Sequence, residues 1–186
     1  MEIDVQVGIS ARHVHLKEET YYKLFDKPLT KKNDLNQLGQ FAANETVKIR
    51  TSQNVFENVR IIGPLREYDQ IEISKSDARI LGINPPVRKS GDVLNSEKVI
   101  LETAKDSVEI EGCIIADRHV HMNEKKALEL GLYDNEIIKL KIEGEKSGII
   151  DAFVKISENG FFEVHLDTDD ANANLLQNND LVKIVL

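Results

Sequence analysis

The sequence holds a single cysteine, Cys113, and no tryptophan. One thiol excludes an intramolecular disulfide and any metal centre built on cysteine pairs. The simplest reading of Cys113 is a free, buried thiol in a reducing compartment. Long apolar runs are also missing, and none approaches the roughly 18 residues needed to span a bilayer. The opening stretch Met1-Glu-Ile-Asp-Val-Gln-Val7 lacks the basic and apolar regions of a secretion signal and alternates like a strand. Positive charge is in short supply: 24 Lys and Arg against 32 Asp and Glu leave a net charge of −8. That balance argues against nonspecific nucleic-acid binding, while leaving room for a local basic pocket. There is no Gly-rich phosphate loop and no Gly-X-Ser-X-Gly nucleophile elbow. A cytoplasmic protein without nucleic-acid or membrane partners is expected.

What is present is a chain of 186 residues, 41% hydrophobic and 30% charged, enough for one ordinary domain or two small ones. Short alternating segments recur: Thr46–Arg50, Val59–Ile62, Gln70–Ser74, Ile138–Ile142, Phe153–Ile156 and Leu181–Leu186. Each has the period of a half-buried strand. Helices are few and short. Lys17–Phe25, Asp77–Leu81 and Asp170–Leu176 are candidates, as is Glu124–Leu130 with Asn123 as N-cap and Gly131 as stop. Pro85-Pro86 and the polar stretch 90–98 read as a loop between strands. Many short strands with small helices predict a mainly β protein of one or two barrels.

One internal echo stands out. Ser10-Ala-Arg-His-Val-His-Leu16 returns as Ala116-Asp-Arg-His-Val-His-Met122, and a helical pattern follows each copy. Two copies suggest two related lobes. Residues two apart on a strand point to one face, so His13 and His15 present their rings side by side, as do His119 and His121. On a helix the same spacing would splay them apart. Neutral imidazole binds zinc without any thiolate. His165, the fifth histidine, lies in strand-like Phe161–Leu166, just before the acidic turn Asp167-Thr-Asp-Asp170. The alternative is a set of partly exposed strand histidines with no metal. A single His-X-His could well be that, but its duplication favours a metal role.

Other polar residues are less distinctive by themselves. Arg12 and Arg118 precede the histidine pairs; anion binding and neutralisation of Asp117 or other carboxylates both remain open. Arg66 follows the turn Gly63-Pro64, where an arginine can clamp phosphate through two parallel hydrogen bonds or make a surface ion pair with Glu67. Glu72 alternates with Ile71 and Ile73 and so faces away from them, yet nothing selects it from the other carboxylates. Ser10, Arg60, Arg88 and Asn172 are ordinary until something groups them.

The whole set resembles the phosphate propanoyltransferase family, the zinc-type phosphotransacylases of bacterial microcompartments and their cytosolic relatives. The matching stretches are Val7–Leu16, Gln37–Thr46, Gly63–Arg66 with Gln70–Ser74, Arg88–Gly91, Ile115–Met122, Leu130–Leu132 and His165–Asn172. They occur in order and cover nearly the whole chain. Leu38 stands where the family usually has proline, Asn36 where it has serine, and Asn33 where a pocket lysine is common.

The resemblance implies two zinc ions per chain. His13 and His15 match one ligand cluster, His119, His121 and His165 the other, and Glu72 the carboxylate that completes the site. Arg66 matches the catalytic arginine that positions phosphate. Ser10, Arg60 and Asn172 match further residues that bind substrate. The implied fold is two β-barrels capped by short α-helices, with the N-terminal strand packed in the C-terminal barrel. Residues 1–11 with 116–186 would form one domain and 12–115 the other, with the active site at their interface. The implied reaction interconverts a short acyl-CoA (propanoyl or acetyl) plus phosphate with acyl phosphate plus CoA. CoA, phosphate and short acyl phosphates are then partners, with coupling to an acyl kinase and assembly as a homodimer or larger homo-oligomer. A dinuclear zinc hydrolase and a noncatalytic metal-binding protein are the alternatives. Microcompartment members carry an amphipathic N-terminal extension, whereas Ile3, Val5 and Val7 alternate at strand period, so a freely cytosolic enzyme is expected.

Overall fold

Alternating strands expose one polar and one apolar face, and here they hide the apolar face by closing on themselves. The computed structural model describes residues 1–158 and 160–186. From the N-terminus, β1 (Glu2–Ser10) is followed by β2 (His13–His15), α1 (Glu18–Leu24), β3 (Lys31–Asp34), β4 (Phe41–Arg50) and β5 (Val55–Gly63). Next come β6 (Gln70–Glu72), α2 (Lys75–Leu81), β7 (Val87–Arg88), β8 (Glu97–Glu102) and β9 (Ser107–Ala116). The remainder runs β10 (His119–Met122), α3 (Glu124–Leu130), β11 (Ile137–Ile142), β12 (Gly148–Ile156), β13 (Glu163–Asp167), α4 (Thr168–Ala173) and β14 (Leu181–Val185). The chain folds as two compact units, Met1–Ala11 with Asp117–Leu186, and Arg12–Ala116.

The first unit is a closed barrel in the order β1-β13-β10-β12-β11-β14. As expected, the N-terminal strand packs in the barrel of the C-terminal half. β1 runs parallel to β13 and antiparallel to β14, with Gly8 opposite His165 and Ile3 opposite Ile184. The interior is aliphatic, with Val7, Val120, Leu140, Val154, Val164 and Ile184 nearly inaccessible. Each such side chain stabilises the barrel by about 1.5–3 kcal/mol relative to exposure.

The second unit is also a six-strand ring. β4 pairs β5, β5 pairs β2, β2 pairs β6 and β6 pairs β9; β8 pairs both β9 and β4 to close it. β3 and β7 extend the edges at β4 and β9. Val14, Ile49, Ile61, Ile71, Leu101 and Cys113 fill its core. In both units the strand period decides the position of the polar residues. Val14 points inward, so His13 and His15 lie on the opposite face; Ile71 does the same for Gln70 and Glu72. Val120 and Val164 likewise set His119, His121, Glu163 and His165 away from the barrel interior.

Several boundaries differ from the sequence reading. The strand expected over Gln70–Ser74 stops at Glu72, because Ser74 caps α2: its hydroxyl accepts from the Asp77 N–H while Asp77 returns a bond to the Ser74 N–H. α4 (Thr168–Ala173) starts two residues and ends three residues earlier than expected. The Asp167 carboxylate caps its start, and Leu175, at φ 58°, is incompatible with continued helix. The supposed loop 90–98 already enters β8 at Glu97. β9 is an addition to the expected strands: its first half alternates, but Cys113, Ile114 and Ile115 in its second half are all buried. α3 begins and ends as read, with Asn123 accepting from the Lys126 N–H and Gly131 left-handed at φ 68°.

Candidate functional site

Two groups of histidines stand out, one in each unit. In the Arg12–Ala116 unit β2 lies between β5 and β6, which sets His13 opposite both Arg60 and Glu72. His13 Nε2 is 3.5 Å from Glu72 Oε2, and His15 Nε2 is 3.9 Å from Glu72 Oε1. The two rings meet edge to face, 5.0 Å apart. Burial, then the charges of His13 and Arg66, hold His15 well below the usual imidazole range, against the opposing pull of Glu72. His15 is therefore neutral near pH 7, the form that donates a lone pair to a metal.

In the other unit β10 and β13 bring together His119, His121 and His165. His119 Nδ1 is 2.8 Å from the Asp117 carbonyl oxygen. That carbonyl can only accept, so the proton sits on Nδ1 and the lone pair on Nε2. The lone pair faces His121 Nε2 at 3.1 Å. His121 is 2% exposed and its Nδ1 has no hydrogen-bond partner. Burial, then His165 and His119, push its pKa down to about 2. In each group the donor atoms lie within 4.8 Å of one another. Ligands about 2.0–2.1 Å from a tetrahedral zinc are spaced about 3.3 Å apart. The observed spacings, with His15 and His121 neutral, suit such a cation.

The sequence reading missed two residues here. Glu163, 5% exposed, places Oε1 3.0 Å from His165 Nε2. Gly8 admits that carboxylate, since a Cβ there would lie 2.3 Å from Glu163 Oε1. Gln70 donates to Glu72 Oε1 at 2.6 Å. Both lie two positions before an identified residue, so the strand period held the signal.

Arg66 is tied by its backbone to Leu16, the residue after His15, and its charge contributes to the lowered pKa of His15. Its N–H donates to the Leu16 carbonyl at 2.8 Å, and Nη1 approaches the Tyr68 hydroxyl at 3.3 Å. Arg60 is exposed on β5. Ser10 ends β1 in register with Asp167, and Asn172 is exposed on α4. Arg12 bonds Asp77 at 2.6 Å and covers the Phe56 ring, while Arg118 Nε lies 3.7 Å from Asp170. Burial, then Asp167, raises Asp170 to about 6 despite Arg118. In the 30–40 segment Asn33 is exposed and bonds the Asp34 carbonyl, and Leu38 is exposed.

Cys113 is inaccessible, and burial pushes its thiol up to about 12. Native protein should therefore resist a disulfide-exchange thiol reagent, whereas unfolded protein should react at one equivalent. Rapid labelling of the native protein would contradict this placement.

Comparison with known proteins points to one family. The family model described as "Phosphate propanoyltransferase" matches residues 6–177. The phosphate propanoyltransferase of Thermotoga maritima is 42% identical, over 99% of this chain and 90% of that protein. That of Listeria monocytogenes is 41% identical, over 93% and 83%. That of Salmonella typhimurium is 38% identical, over 91% and 82%.

Proposed function

Because the chain belongs to the phosphate propanoyltransferase family, a group of acyltransferases, we propose that it exchanges CoA and phosphate on propanoyl or acetyl groups, with zinc as its metal. The observation that carries this reading is the His13, His15 and Glu72 donor group, with Arg66 hydrogen-bonded through its backbone to Leu16 next to His15. His119, His121 and His165 offer a second group, so about two zinc ions per chain are expected.

In the proposed reaction a phosphate oxygen bonds to the thioester carbonyl carbon. The carbon–sulfur bond breaks, its electron pair leaves on sulfur, and the thiolate of CoA takes up a proton. Phosphate is a weak nucleophile unless held in place. Arg66 supplies a fixed guanidinium that neutralises and orients it, removing part of the entropic cost of the encounter. Bound zinc supplies Lewis acidity toward the oxygen and sulfur that gain charge. Neutral His15 and His121 keep their nitrogens available as ligands instead of repelling a cation. Arg60, Ser10 and Asn172 are proposed to contact substrate. Buried Cys113 is not needed, because phosphate attacks directly. We also propose a cytoplasmic homo-oligomer whose acyl phosphate feeds an acyl kinase. No helix is long and apolar enough to cross a membrane among the described residues.

A thiol-release assay in the acyl phosphate direction, and a phosphate-dependence assay in the other, should be run on samples of measured metal content. Acyl exchange with about two zinc ions per chain is expected. Thioester cleavage that ignores phosphate would favour the dinuclear hydrolase, and zinc without turnover the noncatalytic alternative.

A further inference from the structure

Gln70 is wholly buried, and its amide is used in every direction. Nε2 donates to Glu72 Oε1 at 2.6 Å and to Ser90 Oγ at 3.0 Å. Oε1 accepts the Gly91 N–H at 2.7 Å. A flipped amide would set its oxygen against a carboxylate and its NH2 against an N–H, so the network itself decides the orientation. We propose that Gln70 is a positioning residue that couples the carboxylate of the His13/His15/Glu72 group to the segment 88–92, so that metal occupancy and the order of that segment are linked. The inference rests on the zinc reading above.

The chemistry favours an amide for this task. A lysine or arginine touching Glu72 would cancel the negative charge that attracts a cation. A neutral N–H fixes the carboxylate torsion and leaves the charge in place. Its grip is on Oε1, while Oε2 is the oxygen nearer His13. At its other end the amide holds a tight turn. Asp92 N–H bonds the Lys89 carbonyl at 3.0 Å, and Gly91 adopts φ 98°, a region closed to most side chains. A Cβ at Gly91 would stand 3.5 Å from the Tyr68 hydroxyl, the group that Arg66 Nη1 approaches. The turn carrying Arg88 and Lys89 is thus tied to Glu72 through Gln70 and borders Arg66 through Tyr68. Linkage makes the effect reciprocal: whatever Gln70 adds to metal affinity, the metal adds to the closed state of the turn.

Backbone hydrogen exchange at Gly91 should be measured on wild-type protein, zinc-free and zinc-loaded, with a buried β4 amide as reference. Zinc should slow Gly91 exchange by about 10-fold or more relative to the reference, matching the 10–100-fold affinity typical of such outer contacts. Gln70→Met, close in volume, should weaken one of the two zinc sites by about 10–100-fold in chelator competition and abolish the zinc effect on Gly91. Zinc binding by the wild type without change at Gly91 overturns the coupling and leaves the zinc reading intact. Wild-type affinity in a folded Gln70→Met protein does the same. A wild type that binds no zinc removes both. The exchange comparison needs no variant, so a misfolded mutant does not rescue the idea.

Discussion

Arg66→Ala should lower turnover by about 100- to 1,000-fold, the scale seen when a single preorganised charge-stabilising donor is removed. Fold and zinc content should stay as they are. The backbone N–H that joins Arg66 to Leu16 is retained by alanine, and the side chain is only half-buried, with the Tyr68 hydroxyl as its described hydrogen-bond partner. The loss should be greatest at subsaturating phosphate, because the guanidinium is assigned to that substrate. Arg66→Lys should recover part of the rate: it restores charge without the two-pronged geometry. His15 gives an independent reading. Arg66 helps to depress its pKa, so Arg66→Ala in metal-free protein should move the His15 titration upward. Steady-state kinetics against phosphate, with metal analysis of each variant, decide the matter. Wild-type rates at low phosphate in Arg66→Ala would end the assignment.

Exhaustive chelation should abolish acyl exchange, and added zinc should restore it. The barrels should survive the treatment, since their cores are aliphatic and the histidines stand on the opposite strand faces. Circular dichroism should therefore change little, while the melting temperature falls; a ligand at 1,000 times its Kd contributes about 4 kcal/mol to stability. The metal-free protein should also become acid-sensitive. His15 and His121 are depressed in the folded state, so the unfolded chain binds more protons once the pH drops below the ordinary imidazole value of about 6.5. Stability is present above that value and is lost as the pH falls through it. Melting curves of the zinc-free protein between about pH 7.5 and 5.5 test the sign. Full activity in a verified metal-free sample would defeat the zinc proposal.

The sequence by itself determined what depends on near neighbours. A period of two placed His13 with His15, and His119 with His121, on shared strand faces before any contact was known. Asn123 and Gly131 delimited α3 because capping is local chemistry. The resemblance extended this to the barrel architecture, including the N-terminal strand that joins the C-terminal half. The tertiary structure alone decided what depends on which strands lie side by side. Glu72 is one of 32 acidic residues; the resemblance named it, but the physical reason is that β6 pairs with β2 and puts it opposite His13. Glu163 and Gly8 are 155 positions apart, yet the parallel pairing of β1 with β13 lets the missing side chain of one admit the carboxylate of the other. Gln70 reaches Ser90 and Gly91 by the same kind of closure. Strand period is written in local sequence, whereas register across a barrel is a balance of distant burial and pairing energies, and no short segment contains it.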